Sequence, residues 1–167
     1  MFVQIPMMQR FSVYLGHPTY SVTVILFSMI LATGVGSLIS DRLDVEKREL
    51  WVRAIPAGIA LNLLIWTLAL QPIIEGTISQ TLSVRVTLVV IVVAIASLPL
   101  GMCFPIGLRL VARLSGAALP WMWGINGAAG VLASVLAVAV SMWTGISTSL
   151  YLAAGGYALL TIPAHFL

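Results

Sequence analysis

The residues that could support chemistry are few in this chain. Its 167 residues include eight Lys and Arg, five Asp and Glu, two His and one Cys. One cysteine and two histidines do not make a convincing zinc site. The sequence has no H-E-x-x-H metal pair, no phosphate-binding P-loop and no G-x-S-x-G nucleophile motif. We therefore predict that the chain is not an enzyme and uses no cofactor and no bound metal.

Polar side chains inside the apolar segments are the next candidates. Asn62 and Asn126 are the most interior of them. We expect both to hydrogen-bond between helices, with a role in solute transport as the alternative. Glu75 and Arg85 flank a short turn and are predicted to pair across it. His17 stands just before an apolar run and is predicted to cap that helix or form a turn, with a proton-handling role as the alternative.

Composition identifies the kind of protein that must position these residues. Hydrophobic residues make up 60% of the chain and charged residues 8%, against roughly half and about a quarter in soluble domains. This excludes a soluble domain, a disordered chain and a disulfide framework. We predict an all-α integral membrane protein. A span needs about 20 apolar residues, and five such runs occur, at residues 20–40, 54–74, 84–104, 123–143 and 147–167.

Residues 1–18 stand apart from the five-helix transmembrane domain that we assign to residues 19–167. The segment is apolar but short, and Gln4, Pro6, Gln9 and Arg10 interrupt it. It lacks the basic start and the cleavage site of a signal peptide. We expect either a short helix lying at the membrane interface or part of a longer spanning helix.

Lys and Arg counts in the short loops predict the orientation. Six of these residues fall in the first and third loops, namely Arg42, Lys47, Arg48, Arg53, Arg109 and Arg113. Two fall on the other side, Arg10 and Arg85. The predicted location is a bacterial inner membrane, with the N-terminus outside and the C-terminus in the cytoplasm. The net charge of +3 favours contact with anionic lipid on the cytoplasmic side over nucleic acid.

Small residues recur at helical spacing in two of the spans. The first span carries Ser28, Ala32 and Gly36, followed by Ser40, and the fourth carries Gly127, Gly130 and Ser134, followed by Ala137 and Ser141. Small faces let helix backbones approach closely in a membrane. We predict helix packing at both faces, within the chain or against a partner. A substrate path lined by small residues is the alternative.

Proline and glycine disturb the third span. We predict a kink near Pro99 and a break near Pro105 and Gly107, because proline removes a helix hydrogen bond. A break can be a plain kink or can line a binding site. Residues 107–118 are then expected to form a short surface helix, with Arg109 and Arg113 contacting anionic lipid.

Several strings taken together resemble a known family. They are Q-R-F…L-G-H-P near the N-terminus, F-P-I-G-L-R at residues 104–109 and W-G-I-N-G at residues 123–127. They resemble the membrane region of bacterial spermidine-synthase-like proteins, in which a region distantly similar to the major facilitator superfamily is fused to an aminopropyltransferase-like domain. Asp41 and Arg42 resemble the cytoplasmic loop motif of facilitator transporters, although Leu43 follows them where that motif has glycine.

The resemblance implies membrane architecture but no catalysis. Nothing in these residues can form the soluble aminopropyltransferase-like domain, so enzyme activity is not carried over. Our first hypothesis is a multi-pass membrane subunit or module that works by helix–helix association, with other membrane proteins or a second copy as partner. The alternative is a transporter, or half of one, for a small amphipathic or cationic, polyamine-like solute.

Overall fold

A computed structural model describes residues 1–43 and 50–162 of the chain. This part contains helices and their connections and no strand, so the all-helical prediction is confirmed here. The helices are α1 (Gln4–Leu15), α2 (Pro18–Asp41), α3 (Leu50–Thr77), α4 (Leu82–Ser97), α5 (Leu100–Leu114), α6 (Leu119–Thr144) and α7 (Ile146–Leu159). A single 3-10 turn, Gly116–Ala118, joins α5 to α6.

Local chemistry explains where the first two helices meet. Gly16 ends α1 in the left-handed conformation, with φ of 80°, which glycine adopts without a Cβ penalty. Nδ1 of His17 then accepts the amide N–H of Thr19 at 3.2 Å, and Pro18 occupies the first turn of α2, where its missing N–H costs nothing. The prediction that His17 caps this helix is therefore confirmed.

Four stretches within the described residues are long and apolar enough to cross a membrane, by length and composition. They are Pro18–Asp41, Leu50–Thr77, Leu82–Leu114 and Gly116–Thr144. The fifth predicted span corresponds to α7, which has 14 residues and is about 21 Å long at 1.5 Å per residue. Its predicted end, residues 163–167, lies outside the described residues, and the fifth span is not confirmed.

The helices run alternately between two ends of the bundle. The turn at Gly16, the end of α3 and the start of α4 share one end, which we call the Gly16 end. The end of α2, the end of α5 and the start of α6 share the other, which we call the Arg42 end. The most extensive helix contacts join α3 to α7 and α2 to both α4 and α5.

Helix α1 packs against the other helices of the bundle. Its side chains Met7, Phe11, Tyr14 and Leu15 are buried and belong to the central apolar cluster, and the helix contacts α2, α4, α6 and α7. Whether residues 1–18 lie at the membrane interface or form part of a spanning helix stays a prediction.

The third predicted span is interrupted at Leu98–Pro99 and nowhere later. Helix α4 ends at Ser97, and α5 then runs without a break through Pro105 and Gly107 to Leu114. The predicted break near Pro105 is wrong, and residues 107–114 are not a separate surface helix. A proline inside a helix costs about 3 kcal/mol, and the packing of α5 against α2, α3 and α6 outweighs this local preference.

Two glycines bring α2 and the α4–α5 junction into backbone contact. A Cβ on Gly36 would strike the carbonyl oxygen of Leu98, and a Cβ on Gly101 would strike the carbonyl oxygen of Thr33. Each glycine thus faces the other helix's backbone. Ala32 and Ser28 lie one and two turns before Gly36 on the same face and are buried.

We expect Gly36→Ala to destabilise the protein because the added methyl group meets backbone that cannot rotate away. Overpacking of this kind costs about 1–3 kcal/mol. The matched control is Gly34→Ala in the same helix, where a Cβ meets nothing within 4 Å. The control should keep or raise stability, since Ala favours helix by up to about 1 kcal/mol over Gly. Thermal unfolding in mild detergent measures both, and equal stability of the two variants would contradict the close crossing.

Candidate functional site

Asn62 joins α3 to the interrupted end of α4. Its Nδ2 donates to the carbonyl oxygens of Ile95 at 3.3 Å and Ala96 at 3.2 Å. In an unbroken helix, the carbonyl of Ile95 would accept a hydrogen bond from the backbone N–H of the residue four positions later. That residue is Pro99, which has no N–H. Asn62 therefore supplies a donor where the proline removes one.

Tyr14 is the polar centre of the Gly16 end. Its hydroxyl shares a hydrogen bond of 2.7 Å with the hydroxyl of Thr77, and its backbone carbonyl accepts from the guanidinium of Arg85 at 2.6 Å. The Arg85 guanidinium also lies over the Tyr14 ring, 5.8 Å from its centroid, within reach of a cation–π contact. These contacts tie the ends of α1 and α3 to the start of α4.

The predicted pair between Glu75 and Arg85 is wrong. Arg85 turns toward Tyr14, while Oε1 of Glu75 accepts from the side-chain amide of Gln71 at 2.5 Å, one turn earlier in α3. Glu75 is exposed and Arg85 is half-buried. A half-buried guanidinium gains more from a carbonyl and an aromatic face that are already desolvated than from an exposed carboxylate.

Arg10 links α1 to the start of α7. Its guanidinium donates to the hydroxyl of Ser147 at 2.7 Å, and its second terminal nitrogen is buried with no hydrogen-bond partner among the described residues. A pair of hydroxyls joins α6 to α7, because the side chains of Ser141 and Ser149 share a buried hydrogen bond of 2.9 Å.

At the Arg42 end, Arg109 joins α5 to α2. Its guanidinium donates to the carbonyl oxygen of Ser40 at 2.5 Å, in the last turn of α2. Cations favour the carbonyl end of a helix, which accounts for this contact, and the predicted contact of Arg109 with anionic lipid stays a prediction. Arg113, one turn later, is exposed, as are Asp41 and Arg42 at the end of α2.

The second small-residue face is only partly used within the chain. Ala137 and Ser141 are buried, next to α7. A Cβ on Gly127 or Gly130 would meet nothing within 4 Å, and Ser134 is half-buried with its hydroxyl bonded to its own helix at Gly130. Gly127 is exposed and Gly130 and Ser134 are half-buried, so this part of the small-residue face is less covered than Ala137 and Ser141.

Where α6 departs from α7, a cavity of about 430 Å³ opens between α5, α6 and α7. Asn126 lines it from α6, Cys103 from α5 and Tyr157 from α7, and the rest of the lining is apolar. Phe104 in its wall meets the ring of Trp123 edge-on, with centroids 5.0 Å apart. Unlike Asn62, Asn126 forms no hydrogen bond with another described residue, so its predicted interhelical hydrogen bond is not present there.

The described residues contain no group of three His, Cys, Asp or Glu side chains that could hold a metal ion. Tyr14, Gly101 and Tyr157 are the main residues that the sequence analysis missed. The sequence offered a signal for Gly101, since this glycine stands two residues after Pro99, where a kink was predicted. The two tyrosines had none, because their partners come from helices distant in sequence.

Comparison with protein-family models, with curated proteins and with solved structures gives no match to this chain.

We expect Asn62→Leu to cost about 1–3 kcal/mol of stability, because it leaves a partly buried carbonyl without a donor. The cost should fall by at least about 0.5 kcal/mol when the same change is made in a Pro99→Ala background, where residue 99 regains its N–H. A double-mutant cycle by thermal unfolding in detergent measures this coupling. Asn126→Leu is the control and should change stability by less than about 0.5 kcal/mol. An identical cost of Asn62→Leu in both backgrounds would argue against the role of Asn62.

Proposed function

We propose that this chain is a multi-pass membrane module that works by helix–helix association, not by catalysis. The four long apolar helices support membrane insertion, because exposed apolar surface of this extent needs lipid around it. The resemblance to the membrane region of spermidine-synthase-like proteins remains part of this proposal, and enzyme activity is not carried over from it.

The observation that carries the proposal is the open small-residue face of α6. Only Ala137 and Ser141 of its 26 residues are buried. In lipid, apolar surface alone does not bring helices together, whereas small residues allow the close backbone contact that does. The same type of face on α2 is closed by α4 and α5 within the chain. We infer that Gly127, Gly130 and Ser134 receive a helix of a second polypeptide.

The arginine positions support the proposed orientation in a bacterial inner membrane. Arg42, Arg53, Arg109 and Arg113 all belong to the Arg42 end of the bundle, which is the proposed cytoplasmic side. Lys47 and Arg48 of the same loop lie outside the described residues. Exposed Arg113 at this end is the residue that we propose for contact with anionic lipid.

A second candidate function is transport of a small solute. The cavity between α5, α6 and α7 favours it, since transporter sites lie between helices that can move relative to one another. The interruption at Pro99 would allow α5 to move relative to α4. A facilitator-like transporter contains two such halves, so this function also requires a partner.

To test association, Gly127→Leu and Gly130→Leu are combined and compared with Ile125→Leu, which alters an exposed position on the opposite side of α6. We expect the purified wild-type chain to run in mild detergent as a complex, either with a second copy or with another polypeptide. The double variant should reduce the complex to the mass of the monomer, while Ile125→Leu leaves it intact. Light scattering on the separated species gives the mass. A monomeric wild type without a co-purifying polypeptide would refute the proposal.

To test orientation, Arg42→Cys and Gln80→Cys are made separately in a Cys103→Ala background. Both positions are exposed and lie at opposite ends of the bundle. An impermeant maleimide should label Gln80→Cys in intact spheroplasts and Arg42→Cys only in inverted vesicles. The reverse pattern would overturn the proposed topology.

A further inference from the structure

The cavity between α5, α6 and α7 has the make-up of a small-molecule site. Its volume of about 430 Å³ falls in the range of about 300–1,000 Å³ that is usual for such sites. Its wall is apolar, with Leu108, Val111 and Met122 among the lining residues. Most small-molecule sites combine such a wall with a few polar groups that converge on the ligand.

Three residues with polar side chains line this cavity from three helices. They are Cys103 of α5, Asn126 of α6 and Tyr157 of α7. Cys103 and Tyr157 are half-buried, and Asn126 is exposed. Neither Asn126 nor Tyr157 forms a hydrogen bond with another described residue, so an amide and a hydroxyl remain able to bind a ligand.

The charges of the cavity decide the class of ligand. None of the lining residues is Asp, Glu, Lys or Arg, and thiols and phenols are ordinarily neutral at pH 7. A charged group brought into such a cavity loses its hydration without gaining a counter-ion, which is costly. An uncharged hydroxyl or carbonyl group would be satisfied by the amide and the phenol.

We propose that this cavity binds an uncharged, mainly apolar molecule that carries one hydroxyl or carbonyl group, taken from the surrounding lipid. The amide of Asn126 and the hydroxyl of Tyr157 hold the polar group, and the apolar wall holds the remainder. This inference rests on the proposed membrane location but not on association through α6. It also replaces the cationic solute of the transporter hypothesis by a neutral one.

The test uses the full chain in lipid nanodiscs and a hexadecanol that carries a photoactivatable diazirine. Labelled residues are located by mass spectrometry. We expect saturable labelling within α5, α6 and α7 that unlabelled hexadecanol suppresses. The permanently charged hexadecyl sulfate and hexadecyltrimethylammonium should compete at least about tenfold less well. Equal competition by the cation would overturn the neutral class of ligand and favour a cationic solute.

Two matched glycine variants locate the site. Gly156 lines the cavity and Gly155, its neighbour in α7, does not. A Cβ at either position meets nothing within 4 Å, so both Leu variants are expected to fold, which thermal unfolding checks. Gly156→Leu should abolish the saturable labelling and Gly155→Leu should leave it unchanged. Labelling of Gly156→Leu at the wild-type level would refute the proposal.

The polar groups are tested by Asn126→Leu and Tyr157→Phe. Each change removes one hydrogen bond to the ligand and should weaken the apparent affinity for the probe about three- to tenfold. Unchanged affinity in both variants would overturn the assigned roles of the amide and the phenol. Gly127→Leu alone changes the proposed association face but no residue that lines the cavity, and it should leave labelling intact, so the ligand site and the association proposal can fail independently.

Discussion

The backbone contact between α2 and the α4–α5 junction is the constraint on which the rest of the structure depends. Gly36 and Gly101 each lack the one atom that would hold the two helices apart. Their contact fixes the helix interruption at Leu98–Pro99 against α2 and directs α5 along the end of that helix. Arg109 then reaches the last carbonyls of α2, and the opposite side of α5 becomes a wall of the cavity.

The polar side chains inside the bundle act mainly as connections between helices. Asn62 bonds the carbonyls next to Pro99, and Arg85 and Arg109 each donate to a backbone carbonyl of another helix. Such bonds stabilise the bundle where water is scarce, because leaving a buried carbonyl or guanidinium unpaired costs more free energy than the bond itself contributes. The few charged groups of the interior therefore have structural partners and form no reactive cluster among the described residues.

Helix α6 differs from the others in how little of it is buried. Its C-terminal half is held by Ala137, which is buried, and by the hydrogen bond between Ser141 and Ser149. Its N-terminal half carries both Gly127 and Gly130 and the cavity residue Asn126. The proposed association and the proposed ligand site therefore share this half of the helix, although Gly127 and Gly130 do not line the cavity.

The sequence by itself determined the helical class, the position of four long apolar helices, the cap at His17 and the interruption near Pro99. Each of these follows from composition, apolar run length or local backbone chemistry, which act over a few residues. It also indicated the small-residue face of α2, because a spacing of four residues places Ser28, Ala32 and Gly36 on one side of a helix.

Only the tertiary structure decided which of these residues meet. Asn62 and Asn126 look alike in sequence. Asn62, however, donates to the carbonyl of Ile95, which Pro99 leaves without a donor, whereas Asn126 lines a cavity. Pro105 has the same local effect as Pro99, but packing holds α5 helical through it. Arg85 selects Tyr14 over Glu75, and α1 packs into the central apolar cluster. In each case the partner comes from a distant part of the chain, and contacts made across that distance outweigh local preferences.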